Sequence, residues 1–331
     1  MSVGLVLGAG GVAGGAFHAG VLAALHEAMG WDPRRADLLV GTSAGSITAT
    51  SLRAGLPARD MLARAEGRPL STEAQQVLRA VGPFRDPPHL TDGPRMRSPR
   101  EMVGSLGSVA RRPFSARPWA RVAGFLPEGQ MSTEMISQGI GGLFPAGWPT
   151  SPLWICAVRQ DDGRRRVFGR DEAPEHRPLV ADAVAASCAI PGFFAPVTIG
   201  GTAYVDGGVH SPTNADVLAD EALGVTLVVV SSPMSIAGRD ARRPLRGGPL
   251  RRWSRTLLDA EAARLRRAGI VVVAFQPTEA DAAVMGVNAM DPSRRAAIAR
   301  QAYQSTLARL ERTDTRTRLA ALGTHGTHGT T

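Results

Sequence analysis

The sequence contains no lysine, so apart from histidine every basic side chain is an arginine. The 38 arginines outnumber the 29 acidic residues and give a formal net charge of +9. A basic chain is typical of proteins that bind nucleic acid or an anionic membrane, but GC-rich codon usage also replaces lysine by arginine. The excess is local, because residues 79–121 contain nine arginines and residues 239–267 contain ten, each against three acidic residues. The excess positive charge therefore belongs to two segments and not to the whole chain. We do not expect nucleic acid to be the natural partner.

Cysteine and long apolar runs are also scarce. The two cysteines, Cys156 and Cys188, are too few and too far apart for a disulfide framework or a cysteine-rich metal site. The N-terminal apolar stretch has no basic region before it and leads into glycines, unlike a secretory signal. Apolar runs such as 225–230 and 270–275 are far shorter than the roughly 18 residues that a membrane span needs. We therefore expect a cytoplasmic protein with no transmembrane segment.

Short aliphatic runs alternate with segments of helical periodicity along most of the chain. The pattern predicts a helix over 16–29, a helix that ends at Leu52, and a helix that starts at about Pro292 with Asp291 as its cap. Predicted strands lie at 3–7, 38–40, 153–158, 165–168, 203–205, 225–230 and 270–275. Strands that alternate with helices predict an α/β fold with a mainly parallel central sheet.

A glycine-rich segment, Gly-Ala-Gly-Gly-Val-Ala-Gly-Gly at 8–15, lies between the first predicted strand and helix. Glycines there let backbone N–H groups converge near a helix N-terminus, where they can bind a phosphate or a developing oxyanion. A dinucleotide-binding domain is the alternative interpretation, and it needs an acidic residue at the end of the second strand. That strand instead leads into Gly41-Thr42-Ser43, which disfavours a nucleotide.

The second motif is Gly-Thr-Ser-Ala-Gly at 41–45, a G-x-S-x-G sequence at a predicted strand-to-helix turn. In a nucleophile elbow the serine has a strained backbone, and the flanking glycines avoid clashes that a Cβ would create. The motif predicts that Ser43 is a nucleophile. A tight turn without chemistry is the simpler alternative, since glycine is abundant in this chain.

A serine nucleophile needs a base, and the histidines are poorly placed to provide it. His18 and His26 precede Ser43 on a predicted helix, and His89 lies in a proline-rich segment. Asp206 follows a predicted strand and precedes Gly207 and Gly208, an arrangement that can direct a carboxylate into a cleft. Taken alone, Asp-Gly-Gly is also a common turn.

Together these motifs resemble the patatin-like phospholipases, a family of acylhydrolases with a Ser-Asp dyad. The resemblance rests on four segments in order: 8–15, 41–45, Ala-Ser-Cys-Ala-Ile-Pro-Gly-Phe-Phe-Ala-Pro at 186–196, and Asp206-Gly207-Gly208 with Asn214. It implies a three-layer α/β/α fold, a lipid or acyl-ester substrate, no cofactor and no metal. The site residues that it implies are Ser43 as nucleophile, Asp206 as proton acceptor, the Gly10, Gly11 and Val12 amides as oxyanion hole, and Gly41, Gly45, Gly207 and Gly208 as motif glycines.

The glycine loop departs from the family pattern at one position. Where the family has a basic residue in G-G-G-x-R/K-G, this chain has Ala13. The backbone donors survive this change, but a positive charge near the site is lost. A catalytically weak or inactive lipid-binding module is therefore the alternative function.

Ser43 and Asp206 must meet in one site although they are far apart in sequence, so we expect one catalytic domain over 1–312. An insert or cap rich in proline and arginine is predicted at about 83–121, and a tail at 313–331 whose end we expect to be disordered. In residues 249–268 an apolar stripe runs among arginines. It is typical either of a helix that lies on an anionic membrane or of an ordinary amphipathic helix with a solvated basic face. Its apolar residues are Leu250, Trp253, Leu257, Leu258, Ala262 and Leu265.

Overall fold

One twisted sheet forms the centre of the molecule. The structure is a computed structural model that describes residues 2–81, 129, 131–145, 147–238 and 248–324. Its described strands are β1 (Ser2–Leu7), β2 (Leu38–Thr42), β3 (Leu153–Arg159), β4 (Arg165–Phe168), β5 (Val197–Ile199), β6 (Thr202–Asp206), β7 (Val225–Ser231) and β8 (Val271–Phe275). They lie in the order β5-β6-β3-β2-β1-β7-β8, with β4 paired to β3. The strands from β3 to β8 in this order are parallel neighbours, whereas β4, β5 and β6 pair antiparallel.

Helices cover both faces of the sheet. They are α1 (Gly11–Met29), α2 (Ala44–Arg53), α3 (Ala58–Ala65), α4 (Thr72–Arg79), α5 (Glu134–Gly141), α6 (Val180–Ser187), α7 (Gly248–Arg267), α8 (Glu279–Met285), α9 (Arg295–Leu310) and α10 (Thr313–Thr324). Short 3₁₀ turns lie at Pro33–Arg35, Pro174–His176, Gly207–Val209, Ala215–Leu218, Glu221–Leu223 and Pro292–Arg294. The mainly parallel α/β fold predicted from the sequence is confirmed. The insert predicted at 83–121 lies outside the described residues.

The sheet is buried on both faces, as its parallel centre requires. Along β1, Val3, Leu5 and Leu7 belong to one apolar cluster, beneath α1 and α9. Val6, on the opposite face, belongs to a second cluster, which Leu258 of α7 joins. Because successive side chains of a strand point to opposite faces, a near-continuous aliphatic run fills both cores at once.

Two helices begin elsewhere than the sequence predicts. Helix α1 starts at Gly11 and not near residue 16, so Gly14 and Gly15 are helical despite the low helix propensity of glycine. Tertiary packing outweighs that propensity here. The helix expected from Pro292 begins with a 3₁₀ turn. Asp291 caps this turn, because its carboxylate accepts a hydrogen bond from Ser293 N at 2.9 Å. Helix α9 follows from Arg295.

The arginine-rich helix α7 turns part of its apolar stripe toward the sheet. Leu258, Ala262 and Leu265 are buried, whereas Leu250 near its start is 53% exposed. Ordinary core packing therefore explains three of the six apolar side chains in the stripe. Contact of the arginine-rich segments with an anionic membrane stays a prediction. In the described ranges, no helix combines the length and the apolar character needed to cross a bilayer.

The chain continues as packed structure beyond residue 312. Helix α10 lies within the segment that the sequence assigns to the tail, and its Leu319 and Leu322 are fully buried. The end of the tail lies outside the described residues.

Helices α1 and α9 approach closely at Gly20, where a Cβ would overlap the Ala299 carbonyl oxygen. We predict that Gly20→Ala lowers the free energy of unfolding by about 1–3 kcal/mol, the usual cost of overpacking. Gly15→Ala is the matched control on the same helix, because no atom lies within 4 Å of the Cβ position. That variant should be neutral or more stable by up to about 1 kcal/mol. Urea denaturation measures both, and equal effects of the two substitutions would contradict the packing argument.

Candidate active site

Ser43 lies at the junction between the end of β2 and the start of α2, where a nucleophile elbow is predicted. Its φ of 54° and ψ of −124° put a non-glycine residue in a strained region. The side chain is nearly buried, yet it lines a cavity that opens beside the turn. The strained backbone directs the hydroxyl away from the sheet and into that space.

The glycines on either side of Ser43 are required by close packing. A Cβ on Gly45 would overlap the Leu7 carbonyl oxygen at the end of β1, and a Cβ on Gly41 would overlap the backbone of Ser46. The elbow is therefore wedged between the ends of β1 and β2. Only glycine fits at both flanking positions.

Three hydrogen bonds fix the backbone of the elbow. The Ser43 amide donates to Ser187 Oγ at 2.9 Å, and Ser187 Oγ donates to the Cys156 carbonyl at 2.7 Å. From the other side, the Ser46 hydroxyl donates to the Ser43 carbonyl at 2.7 Å. Ser187 belongs to the Ala-Ser segment at 186–196, whose local role the sequence alone did not reveal. Its hydroxyl bridges the elbow to the neighbouring strand β3.

Asp206 ends β6 and lies beside Ser43, so the fold brings these two predicted residues together. Its carboxylate accepts a hydrogen bond from Gly208 N at 2.7 Å and interacts with the Ser43 hydroxyl. Burial raises the pKa of Asp206 to about 6, and the bonds from Ser43 and Gly208 offset part of that effect. At neutral pH the carboxylate is ionised but more basic than an ordinary aspartate. A carboxylate in this state can accept a proton from serine.

The buried His18 has a structural role. One ring nitrogen lies 2.8 Å from Ser231 Oγ and the other 2.8 Å from the Gly8 carbonyl. Burial lowers the pKa of His18 to about 4, so the ring is neutral at physiological pH. With both nitrogens engaged, His18 supports the start of the glycine loop and is not the base for Ser43. His89 lies outside the described residues.

The glycine-rich segment 8–15 follows β1, and from Gly11 onward it forms the first turns of α1. Only its first three residues are a loop. Among the described residues, the N–H groups of Gly10, Gly11 and Val12 donate to no protein acceptor, as expected for the first turn of a helix. Gly11 and Val12 line the same cavity as Ser43. Gly10 is buried behind them, where its Cβ position lies 3.0 Å from Pro233. The first turn of α1 thus presents amide donors and a positive helix end toward the serine.

Ala13 is held in place by a loop from the C-terminal half of the chain. Its amide donates to the Ala289 carbonyl at 2.9 Å, and its side chain is buried. Met290, the next residue of that loop, lines the cavity beside Gly11. Because Ala13 is buried, a long basic side chain at this position would need room that the folded chain does not leave.

A cavity of about 300 Å³ extends from Ser43 between α1 and α2. One face of α2 lines it with Ala44, Ile47, Thr48 and Ser51, which recur at helical spacing. Much of the opposite wall is formed by apolar side chains from α3, α4, α5 and the residues just after α5: Met61, Val77, Leu78, Ile136, Ile140 and Leu143. The cavity is therefore an apolar trough that begins at the serine.

The cavity wall also carries charge and a thiol. Arg64 and Arg295 are the charged side chains among its described lining residues. Cys188 lies beside Ser46 at 3.8 Å, and burial raises the pKa of its thiol, so it stays protonated. Among the described residues no group of three or more His, Cys, Asp or Glu side chains could hold a metal ion.

A family model described as patatin-like phospholipase matches residues 5–219, more than half of the chain. The chain belongs to the patatin-like phospholipase family. The resemblance seen in the sequence is thereby confirmed.

Two solved structures are similar at low sequence identity. VipD from Legionella pneumophila is 14% identical with a TM-score of 0.41, and the match covers 94% of this chain and 66% of VipD. The type III effector protein ExoU is 18% identical with a TM-score of 0.36, covering 96% of this chain and 53% of ExoU. The chain thus spans only part of the length of either protein. A comparison with curated proteins finds no match.

The raised pKa of Asp206 predicts how stability depends on pH. Protonated Asp206 is favoured in the folded state, so this stabilising contribution is complete below pH 3.8 and is lost as pH rises through about 6. Asparagine is neutral and similar in shape to aspartate. We predict that the free energy of unfolding of Asp206→Asn at pH 8 exceeds that of the wild type by up to about 3 kcal/mol. The gain should shrink toward zero near pH 4. Urea denaturation at the two pH values measures it, and an equal difference at both would contradict the burial argument.

Proposed function

We propose that this protein hydrolyses acyl esters of lipids through a dyad of Ser43 and Asp206, as a phospholipase A, lysophospholipase or lipid esterase. The observation that carries the proposal is the strained, cavity-facing Ser43 beside a buried carboxylate of raised pKa. Perturbed pKa values and a serine next to a base are typical of nucleophilic catalysis. Family membership independently favours the same class of reaction.

In the acylation step, Ser43 Oγ attacks the ester carbonyl carbon while its proton moves to Asp206. The carbonyl becomes a tetrahedral oxyanion, and its collapse breaks the bond to the alcohol, which leaves with the proton from Asp206. Water then attacks the acyl-enzyme, gives its proton to Asp206, and the fatty acid departs as Ser43 regains a proton. Every proton is returned, so the dyad needs no cofactor.

The Gly10, Gly11 and Val12 segment is proposed as the oxyanion hole. Its amides are without protein acceptors among the described residues, and two of these three residues line the cavity with Ser43. The positive end of α1 adds to their effect. In comparable sites, the loss of one such donor lowers the rate roughly 100- to 1000-fold.

The apolar trough is proposed to hold the acyl chain. The trough follows α2, which rises about 15 Å over its ten residues. It reaches Val77 of α4, which lies near the C-terminal end of α2. The two arginines of the cavity wall favour an ester whose remaining part is anionic. A phospholipid meets both requirements, because its acyl chain is apolar and its phosphate is negative.

We predict that Ser43→Ala and Asp206→Asn each lower the hydrolysis of a p-nitrophenyl acyl ester at least about 1000-fold, because each removes one half of the dyad. A fluorophosphonate probe should label the wild-type protein and leave Ser43→Ala unlabelled. Circular dichroism checks that both variants are folded.

Wild-type protein that is folded but neither labelled nor active would instead support the inactive lipid-binding module. Full activity in either variant would overturn the dyad. These two outcomes differ, since the first concerns the enzyme class and the second concerns only the residues assigned.

The length of the trough gives a second prediction. Val77→Trp fills its far end, so kcat/KM for a long-chain p-nitrophenyl ester should fall about 10-fold relative to a short-chain ester. This loss equals the burial of about two methylene groups. Gln76→Trp is the control, because Gln76 is exposed on the same helix and does not line the cavity. Equal losses for both chain lengths would show that the acyl chain lies elsewhere.

A further inference from the structure

Asn214 is a buried residue in a backbone conformation that few side chains adopt. It is fully buried and its φ is +53°, in the left-handed region. Asparagine tolerates this region better than most residues. Because the side chain has no contact with solvent, each of its polar atoms needs a protein partner.

The side-chain amide of Asn214 bonds to a chain neighbour of each residue of the proposed dyad. Its Nδ2 donates to Thr42 Oγ1 at 3.1 Å, to the Gly207 carbonyl at 3.3 Å and to the Ser211 carbonyl at 2.6 Å. Thr42 immediately precedes Ser43, and Gly207 immediately follows Asp206. One amide group therefore connects the strand that carries the nucleophile to the turn that carries the base.

Arg165 determines which way this amide points. Its Nη1 donates to Asn214 Oδ1 at 3.1 Å, and a guanidinium has no acceptor, so the oxygen of Asn214 must face it. Arg165 is itself held by Asp216 through two hydrogen bonds of 2.6 and 3.1 Å. The ion pair thus fixes the NH₂ group on the side of Thr42 and Gly207.

We propose that Asn214 is a positioning residue that ties Thr42 to Gly207 and so keeps the Ser43 hydroxyl within hydrogen-bonding reach of the Asp206 carboxylate. The inference rests on the proposed dyad. Asn214 touches neither the cavity nor the reacting atoms, because it is absent from the described cavity lining. Its effect is therefore on the alignment of the dyad and not on substrate binding.

The test compares two substitutions at this position. Asn214→Gly removes the amide and accepts the left-handed backbone without strain. Asn214→Asp keeps the shape and the acceptor toward Arg165 but has no donor for Thr42 or Gly207. We expect both variants to lower kcat about 100-fold, as for a small misplacement of reacting groups. KM for a p-nitrophenyl acyl ester should stay within about twofold of wild type, since the trough is unchanged.

The pH profile separates positioning from a purely structural role. The bond from Ser43 lowers the pKa of Asp206, so its loss in Asn214→Gly should move the acidic limb of kcat/KM to higher pH. The substitution changes no charge, and the nearby Arg165, Asp216, Glu261 and Cys188 thiol are not among the causes of the Asp206 pKa shift. Thermal unfolding confirms that each variant is folded under assay conditions.

A folded Asn214→Gly variant with kcat within threefold of wild type would overturn the inference. So would a loss of activity that follows the loss of folded protein, with an unchanged acidic limb. If the wild-type protein is neither labelled nor active, the proposed function fails, and the inference is tested by NMR titration of the Asp206 carboxyl. A higher pKa in Asn214→Gly would then still support the coupling, whereas an unchanged pKa would reject it.

Discussion

The structure depends on one tight junction, in which the first turn of α2 is wedged against the ends of β1 and β2. Gly45 lies on the carbonyl of Leu7 with no room for a Cβ, and Ser43 adopts a strained backbone to connect strand and helix. Strain of this kind persists only where the surroundings hold it. Ser187 supplies part of that support by bridging the Ser43 amide to the Cys156 carbonyl. The same junction places Ser43 at the start of the apolar trough. The geometry of the turn therefore decides how the serine hydroxyl meets a molecule bound in the trough.

Desolvation is the second constraint on the site. Asp206 is nearly buried, no cation is among the causes of its pKa shift, and burial is the largest cause. A positive charge beside it would lower its pKa and weaken it as a base. Among the described residues, Arg165 is paired with Asp216, and its guanidinium bonds the Asn214 amide. In the same part of the chain, burial and hydrogen bonds from neutral groups dominate the environment of Asp206, which suits the proposed dyad without histidine.

Much of the fold could be predicted from sequence because it rests on local signals, and signals of the same kind suggest Ser43 and Asp206 as the proposed dyad. Aliphatic runs of strand length, helical periodicity and a glycine-flanked serine between them leave few alternatives. The start of α1 could not be predicted this way, since glycines have low helix propensity. The close contacts at this end of the helix come from remote segments, where Gly10 approaches Pro233 and Gly11 approaches Ala289. Helix α10 was missed for a similar reason. Its sequence is mostly polar and small, and only the burial of Leu319 and Leu322 shows that it is packed.

By itself, the sequence determined the alternation of strands and helices and the family, and it pointed to the two residues of the proposed dyad, because these depend on residue type and order. The tertiary structure decided what depends on distance between remote segments. It placed Asp206 beside Ser43, assigned His18 to the support of Gly8, and turned Asn214 toward Thr42 and Gly207. The pKa of Asp206 also belongs to this second group, since burial by the folded chain raises it to about 6.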